Sequence, residues 1–342
     1  MNLSRLNTIT GRYPNLRVAI IGDFCLDRYL EIDPLREEIS IETGLSVHNI
    51  VNVRSQPGGA GTILNNLVAL GVKEIYPVGF CGNDGEGYEL QRALRGKQGV
   101  DLRFFHPTDE RKTFTYAKPL IFRSGKAPTE LNRLDQKNWS PTPESVQALI
   151  VQAYQELNSQ VDAIILLDQV DLPETGVVTE RLLNAIRTVE NKPRSFVIAD
   201  SRRGLKGFPP IGYKMNRVEL ARLIGGNEQA SLIEVRRAAE RVAKTNGQPV
   251  FITMAEQGIM GASPDGTSEQ ISSLPVRGEI DVVGAGDSVT ANLATALASG
   301  ASVREAIELA ICASSIVIHQ LGTTGTATVG QIRELMIACG ML

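Results

Sequence analysis

The stretch Asp281-Val282-Val283-Gly284-Ala285-Gly286-Asp287 sets two carboxylates around an apolar run that ends in three small residues. A helical pattern begins immediately after it, over 288–299. Small residues leave backbone N–H groups bare at a helix start, where the helix dipole also favours negative charge. Such a turn suits an anion, and a carboxylate placed inside it suits a proton acceptor for a nucleophile that attacks a phosphate. A local reading competes: Asp287 as a helix cap and Gly284-Ala285-Gly286 as a tight turn. The rest of the chain decides between them.

The chain has 342 residues, 42% of them hydrophobic, and a net charge of −3. That is enough for one large α/β domain, and it argues against nucleic acid or an anionic membrane as partner. Cys25, Cys81, Cys312 and Cys339 are scattered, without a CxxC or Cys/His cluster. They read as free thiols, which suit a reducing cytoplasm. The segment 1–15 lacks the apolar core of a signal peptide, and the apolar run 306–318 is too short to span a bilayer.

Outward from the opening stretch the chain alternates. Strands are expected at 17–22, 74–80, 161–167, 195–199 and 249–253, and helices at 143–157, 174–189, 231–246, 288–299, 302–318 and 328–339. Strands separated by helices of 10–16 residues predict a mostly parallel sheet covered on both faces. Residues 28–55 break the rhythm with short alternating runs around Pro34 and Gly44. They predict a small inserted β-sheet lid, with strands from 111–134 as further members. No composition break divides residues 1–342, so a single domain is expected.

Ligands of open parallel sheets gather at the carboxyl ends of strands. Asp23 stands at such an end, with Asp27 four residues on, and carboxylates there suit sugar hydroxyls. Gly58-Gly59 opens a helix at whose start backbone can approach a ligand, with Thr62 and Asn66 one turn apart. Asn216 and Glu219 share one helical face and suit a hydrated Mg²⁺, or equally a capping box. No P-loop and no G-x-G-x-x-G after the first strand occurs, and His48, His106 and His319 form no set. Acid–base work falls to carboxylates.

Together these residues resemble the ribokinase-like (PfkB) carbohydrate kinases. The resemblance rests on Asp281 with the GAGD at 284–287, the Pro57-Gly58-Gly59-Ala60 segment and Asn216-x-x-Glu219, over roughly residues 17–335. Within that family Ile21–Tyr29 and Asn132-Arg133-Leu134-Asp135 are similar to the heptose-phosphate kinases.

The resemblance implies a three-layer αβα sandwich with a lid that pairs two subunits in a homodimer. It implies ATP-dependent phosphorylation of a sugar or sugar-phosphate hydroxyl, with Asp287 as base and Gly284, Ala285 and Gly286 N–H groups as anion hole. Asp23, Asp27, Gly58, Gly59, Thr62, Asn66 and Arg133 would bind the sugar. Asn216 and Glu219 would position Mg²⁺ and phosphates, Thr253 and Gly258 the nucleotide, and Asp281 a K⁺ ion. Thr62, Gly61, Val283, the 167–172 segment and Asp200-Ser-Arg-Arg depart from the family pattern. These departures concentrate on the acceptor side, where Arg202 and Arg203 read first as a solvated loop and second as partners of an acceptor phosphate. The alternatives are a nucleoside or simple hexose kinase on the same fold, or a non-catalytic sugar- or nucleotide-binding protein.

Overall fold

A computed structural model describes residues 1–123, 128–188 and 195–342. In chain order the first strands are β1 (Arg17–Gly22), β2 (Phe24–Ile32), β3 (Glu38–Ile39), β4 (Ser46–Val47), β5 (Ile50–Gly59), β6 (Glu74–Gly82) and β7 (Phe105–Thr108). Then come β8 (Thr115–Ile121), β9 (Thr129–Glu130), β10 (Leu134–Gln136), β11 (Ala163–Asp168) and β12 (Phe196–Ser201). The last are β13 (Gly212–Asn216), β14 (Val250–Thr253), β15 (Ile259–Ala262) and β16 (Ser268–Ile271). The helices are α1 (Leu3–Thr10), α2 (Ala60–Ala69), α3 (Gly85–Arg95), α4 (Glu144–Leu157) and α5 (Glu180–Arg187). They continue with α6 (Arg217–Ile224), α7 (Leu232–Asn246), α8 (Ala285–Ala298), α9 (Val303–Val317) and α10 (Val329–Ala338).

β1 is buried at every position after Arg17 because it lies inside a sheet covered on both sides. Side chains alternate along a strand, and the two faces sort accordingly. Val18 and Ile20 join a core with Leu64 of α2, Leu293 of α8 and Ile311 of α9. Ala19 and Ile21 join a second core with Ile150 of α4, Leu182 of α5 and Ala239 of α7. The sheet order is β16-β15-β14-β13-β12-β11-β1-β6-β7. From β14 to β7 all pairings are parallel, and β15 and β16 add two antiparallel ones. This is the expected three-layer arrangement.

A second sheet, β10-β8-β2-β5 with β9 beside β8, forms the lid, and β3 and β4 make a separate hairpin at its tip. The lid is wider than 28–55. β2 starts at Phe24, one residue beyond Asp23, and pairs with β5 from Phe24↔Gly59 outward. β8 then adds in parallel beside β2, and β9 and β10 pair with β8; residues 124–127 of the 111–134 stretch lie outside the described ones.

The helix expected over 174–189 is shorter, Glu180–Arg187, and Val189 lies outside the described residues. Residues 169–179 instead form a loop that turns in over Asp23. The helix α1 and the strands β7, β13, β15 and β16 were not foreseen. α1 is polar overall and hides only Leu6, Ile9 and Thr10.

Candidate active site

The 281–287 stretch leads into α8, and Ala285, Gly286 and Asp287 open its first turn. Gly284 precedes that helix in the left-handed region, φ +83. A side chain there would also press on Thr324 Cβ at 3.2 Å, so glycine is required twice over. The Ala285 N–H turns back on the Val282 carbonyl at 3.2 Å. The N–H groups of Gly286 and Asp287 have no acceptor among the described residues. Helix geometry leaves those two donors facing outward, which is an anion-binding arrangement. The Asp287 side chain caps nothing: α8 has no side-chain cap, and no hydrogen bond ties the carboxylate among the described residues. It lies at the wall of a cavity of about 430 Å³. Burial, seconded by the nearby Asp200 carboxylate, pushes its pKa up to about 7, and Lys214 pulls the other way.

Lys214 is the main residue missed in the sequence. It comes up from β13, is almost fully buried, and its Nζ lies 2.7 Å from Asp200 Oδ2 on the adjoining β12. Thr290 Oγ1 of α8 donates to the same Asp200 oxygen at 3.1 Å. Burial works against the ammonium, but Asp200, joined by Asp287 and Glu219, outweighs it and the Lys214 pKa is raised. A Cβ added to Gly286 would sit 3.1 Å from Nζ, so the cation lies against the anion-binding turn.

The same cavity is lined by Asp27, Thr62, Tyr116, Lys118, Arg133 and Arg202. Asp27 rises from β2, and a side chain on Gly58 would collide with its carboxyl at 2.7 Å. Burial raises the Asp27 pKa while Lys118 and Arg133 pull it back. Arg133 stacks over Tyr116 at 5.1 Å and pairs with Asp135. Arg203 turns away to the buried Asp168, so only Arg202 of that pair faces the cavity. Gly59 carries φ +56 at the start of α2, where a Cβ would lie 2.5 Å from the Asp23 carbonyl.

Asp23 is 2% exposed. Its two carboxylate oxygens accept from Gln169 N at 2.8 Å and Val177 N at 2.7 Å. It therefore anchors the 169–177 loop, which overlaps the 167–172 segment that departs from the family pattern, and its pKa is raised by burial and by Asp168. Asn66 is wholly buried and bonds Thr62 O at 3.0 Å and Gly325 O at 3.4 Å, below the cavity lining. Asn216 and Glu219 form a reciprocal capping box on α6 (2.9 and 2.7 Å), and Glu219 also lines the cavity. Asp281 accepts from Val283 N at 3.0 Å and Gly322 N at 3.3 Å, tying the turn to the 319–326 loop.

A second cavity of about 640 Å³, mostly apolar, lies on the other side of the turn. Thr253, Gly258, Val276, Ile280, Val289 and Ile318 are among its walls. Gly258 adopts φ +83, and a Cβ there would overlap the Ile271 carbonyl. Gly286 borders both cavities.

The profile described as pfkB family carbohydrate kinase matches residues 16–328. Bifunctional protein HldE of Hyphomonas neptunium is 30% identical over 95% of this chain and 64% of its own length. Its counterpart from Syntrophotalea carbinolica is 28% identical over 98% and 66%. The chain thus spans just under two thirds of the length of these relatives. Among solved structures, Escherichia coli phosphofructokinase-2 in complex with substrates and products superposes with a TM-score of 0.72 at 18% identity, covering 95% of this chain and 99% of that one. Arabidopsis thaliana ribokinase complexed with ribose and ATP gives 0.66 at 20% identity, covering 94% and 98%. With its parallel sheet, its lid and the GAGD turn between two cavities, the chain belongs to the pfkB family of carbohydrate kinases.

Proposed function

We propose that the protein transfers the γ-phosphoryl group of ATP to a hydroxyl of a sugar or sugar phosphate. The observation that carries this reading is the meeting of the two cavities at Gly286. The apolar cavity has the character of a base-binding cleft, and the polar one that of a polyol site. A phosphate chain running between them crosses the free N–H groups of Gly286 and Asp287 and the Lys214 ammonium. These groups favour charge as it develops on the transferring phosphoryl oxygens. Asp287 takes the acceptor's proton, and its free carboxylate and near-neutral pKa suit that task.

Lys118, Arg133 and Arg202 at the acceptor end favour a sugar phosphate over a neutral sugar. Glu219 keeps one oxygen outside its capping bond, enough for Mg²⁺, which retains much of its water. When bound, Mg²⁺ would offset charge on the phosphate oxygens. A K⁺ ion at Asp281 would share the oxygens that already brace the turn. Four free cysteines suit a cytoplasmic setting, and no helix among the described residues is long and apolar enough to cross a membrane.

A phosphorylation assay with ATP, Mg²⁺ and K⁺ against a panel of sugars and sugar phosphates tests the reading. Asp287→Asn should lower turnover by ~10²–10⁴-fold on the best acceptor, the effect of losing a general base. Turnover close to the parent's would remove Asp287 from this role.

A further inference from the structure

We propose that His319 is a positioning residue for nucleotide binding: its imidazole clasps the 272–283 segment to α9 and holds the two walls of the apolar cavity together. The inference rests on the nucleotide reading of that cavity. Residues 272–283 leave β16 and run without regular structure into the anion-binding turn. Leu274, Val276 and Ile280 of this segment form one wall of the cavity, and Ile311, Ser314 and Ile318 of α9 and its end form the other.

Few bonds hold the segment. Ser273 Oγ donates to Ala255 O at 2.6 Å, and Asp281 N donates to Ile318 O at 2.8 Å. Between those anchors, among the described residues, one hydrogen bond is made: Arg277 N to His319 Nε2, 2.9 Å. A backbone N–H can only donate, so Nε2 accepts and the ring proton sits on Nδ1. Nδ1 lies 2.6 Å from the Ser315 carbonyl, one turn back on α9. That carbonyl would ordinarily take the His319 N–H, but that group bonds Ile316 O instead. The helix end thus has a spare acceptor that fixes the ring in the one tautomer able to receive Arg277.

The consequence falls on the nucleotide. Val276 and Ile280 are 54% and 43% exposed, so this wall offers an apolar face to solvent. Without the clasp the segment between Ser273 and Asp281 gains conformations, and a nucleotide must order it again on binding. The bond from Asp281 to Ile318 remains, so the anion-binding turn keeps its brace.

Calorimetric titration of the full chain with Mg²⁺ and a non-hydrolysable ATP analogue tests this without knowledge of the acceptor. His319→Ala should weaken the analogue's Kd by about five- to tenfold, the scale of one lost hydrogen bond and its ordering. Arg277→Pro removes the donor from the other side and should match it. His319→Gln, whose amide oxygen can accept, should bind within about twofold of the parent, and the unliganded Tm should stay within roughly 2 °C in all three. Ser314→Phe, which fills the cavity from α9, is the control for the site itself. If Ser314→Phe weakens binding while His319→Ala does not, the clasp is wrong and the nucleotide reading stands. If His319→Gln binds as poorly as His319→Ala, the hydrogen bond is not the cause. If neither Ser314→Phe nor His319→Ala changes the Kd, the cavity is not the nucleotide site and both ideas fall.

Discussion

Asp287 carries opposed demands. Its pKa lies near 7 rather than 3.8, so the folded state holds a proton that the unfolded chain has released. Stability linked to this group is therefore highest at acid pH and is lost as pH rises from about 4 to 7. Asp287→Asn, which cannot ionise, should raise the Tm at pH 8 while turnover falls; an unchanged or lower Tm would contradict the burial argument. Turnover should follow the opposite course, climbing about tenfold per pH unit below pH 7 and levelling above it, because a base must be unprotonated. Lys214→Met should cost ~10²–10³ in kcat, the range seen when one electrostatic donor is removed. It should also move the midpoint of the pH–rate profile upward, since Lys214 holds the Asp287 pKa down. A midpoint that stays in place would separate the two residues.

At the scale of elements, the motifs were read most easily where side chain and backbone act locally. The caps of α7 and α9 show that locality, each a reciprocal pair three residues apart, Ser231 with Glu234 and Ser302 with Glu305. Asn216 with Glu219 shows how two readings can both hold: the pair is a capping box, and its carboxylate still reaches the cavity. Lys214 was hidden because a lysine within a short mixed run looks like a surface residue. Its partner lies on a neighbouring strand, and that pairing is a property of sheet order. Asp23 was legible as a strand-end carboxylate, but the loop that occupies both its oxygens starts almost 150 residues later.

The lid's outer elements expose Leu35, Ile39, Ile41, Leu45, Ile50, Val51 and Val53, with Ile41 100% exposed. A row of this kind along an edge strand and hairpin suits a second copy of the chain. Sedimentation should find a dimer that Ile41→Asp with Val51→Lys converts to monomer without change in circular dichroism. A parent that is monomeric at micromolar concentration would remove the lid from that role.

For the whole molecule, regular alternation of apolar runs and helical patterns was enough to predict the layers and the parallel sheet. The antiparallel pair β15 and β16 escaped because short strands around Gly261 carry little periodicity. Sheet order was not legible at all, yet it determines when the site can exist. β1 lies between β6 and β11, and Arg17 N bonds the Asp162 carboxylate, 145 residues away. A ribosome adding about 5–20 residues per second needs roughly 7–30 s to cover that span. Through that interval β1 presents one edge without its native neighbour, and the chain is open to mispairing and to chaperone capture. A fragment ending near residue 160 should accordingly leave unprotected in hydrogen exchange the β1 amides that face β11, and slow translation upstream of β11 should lower the yield of soluble enzyme.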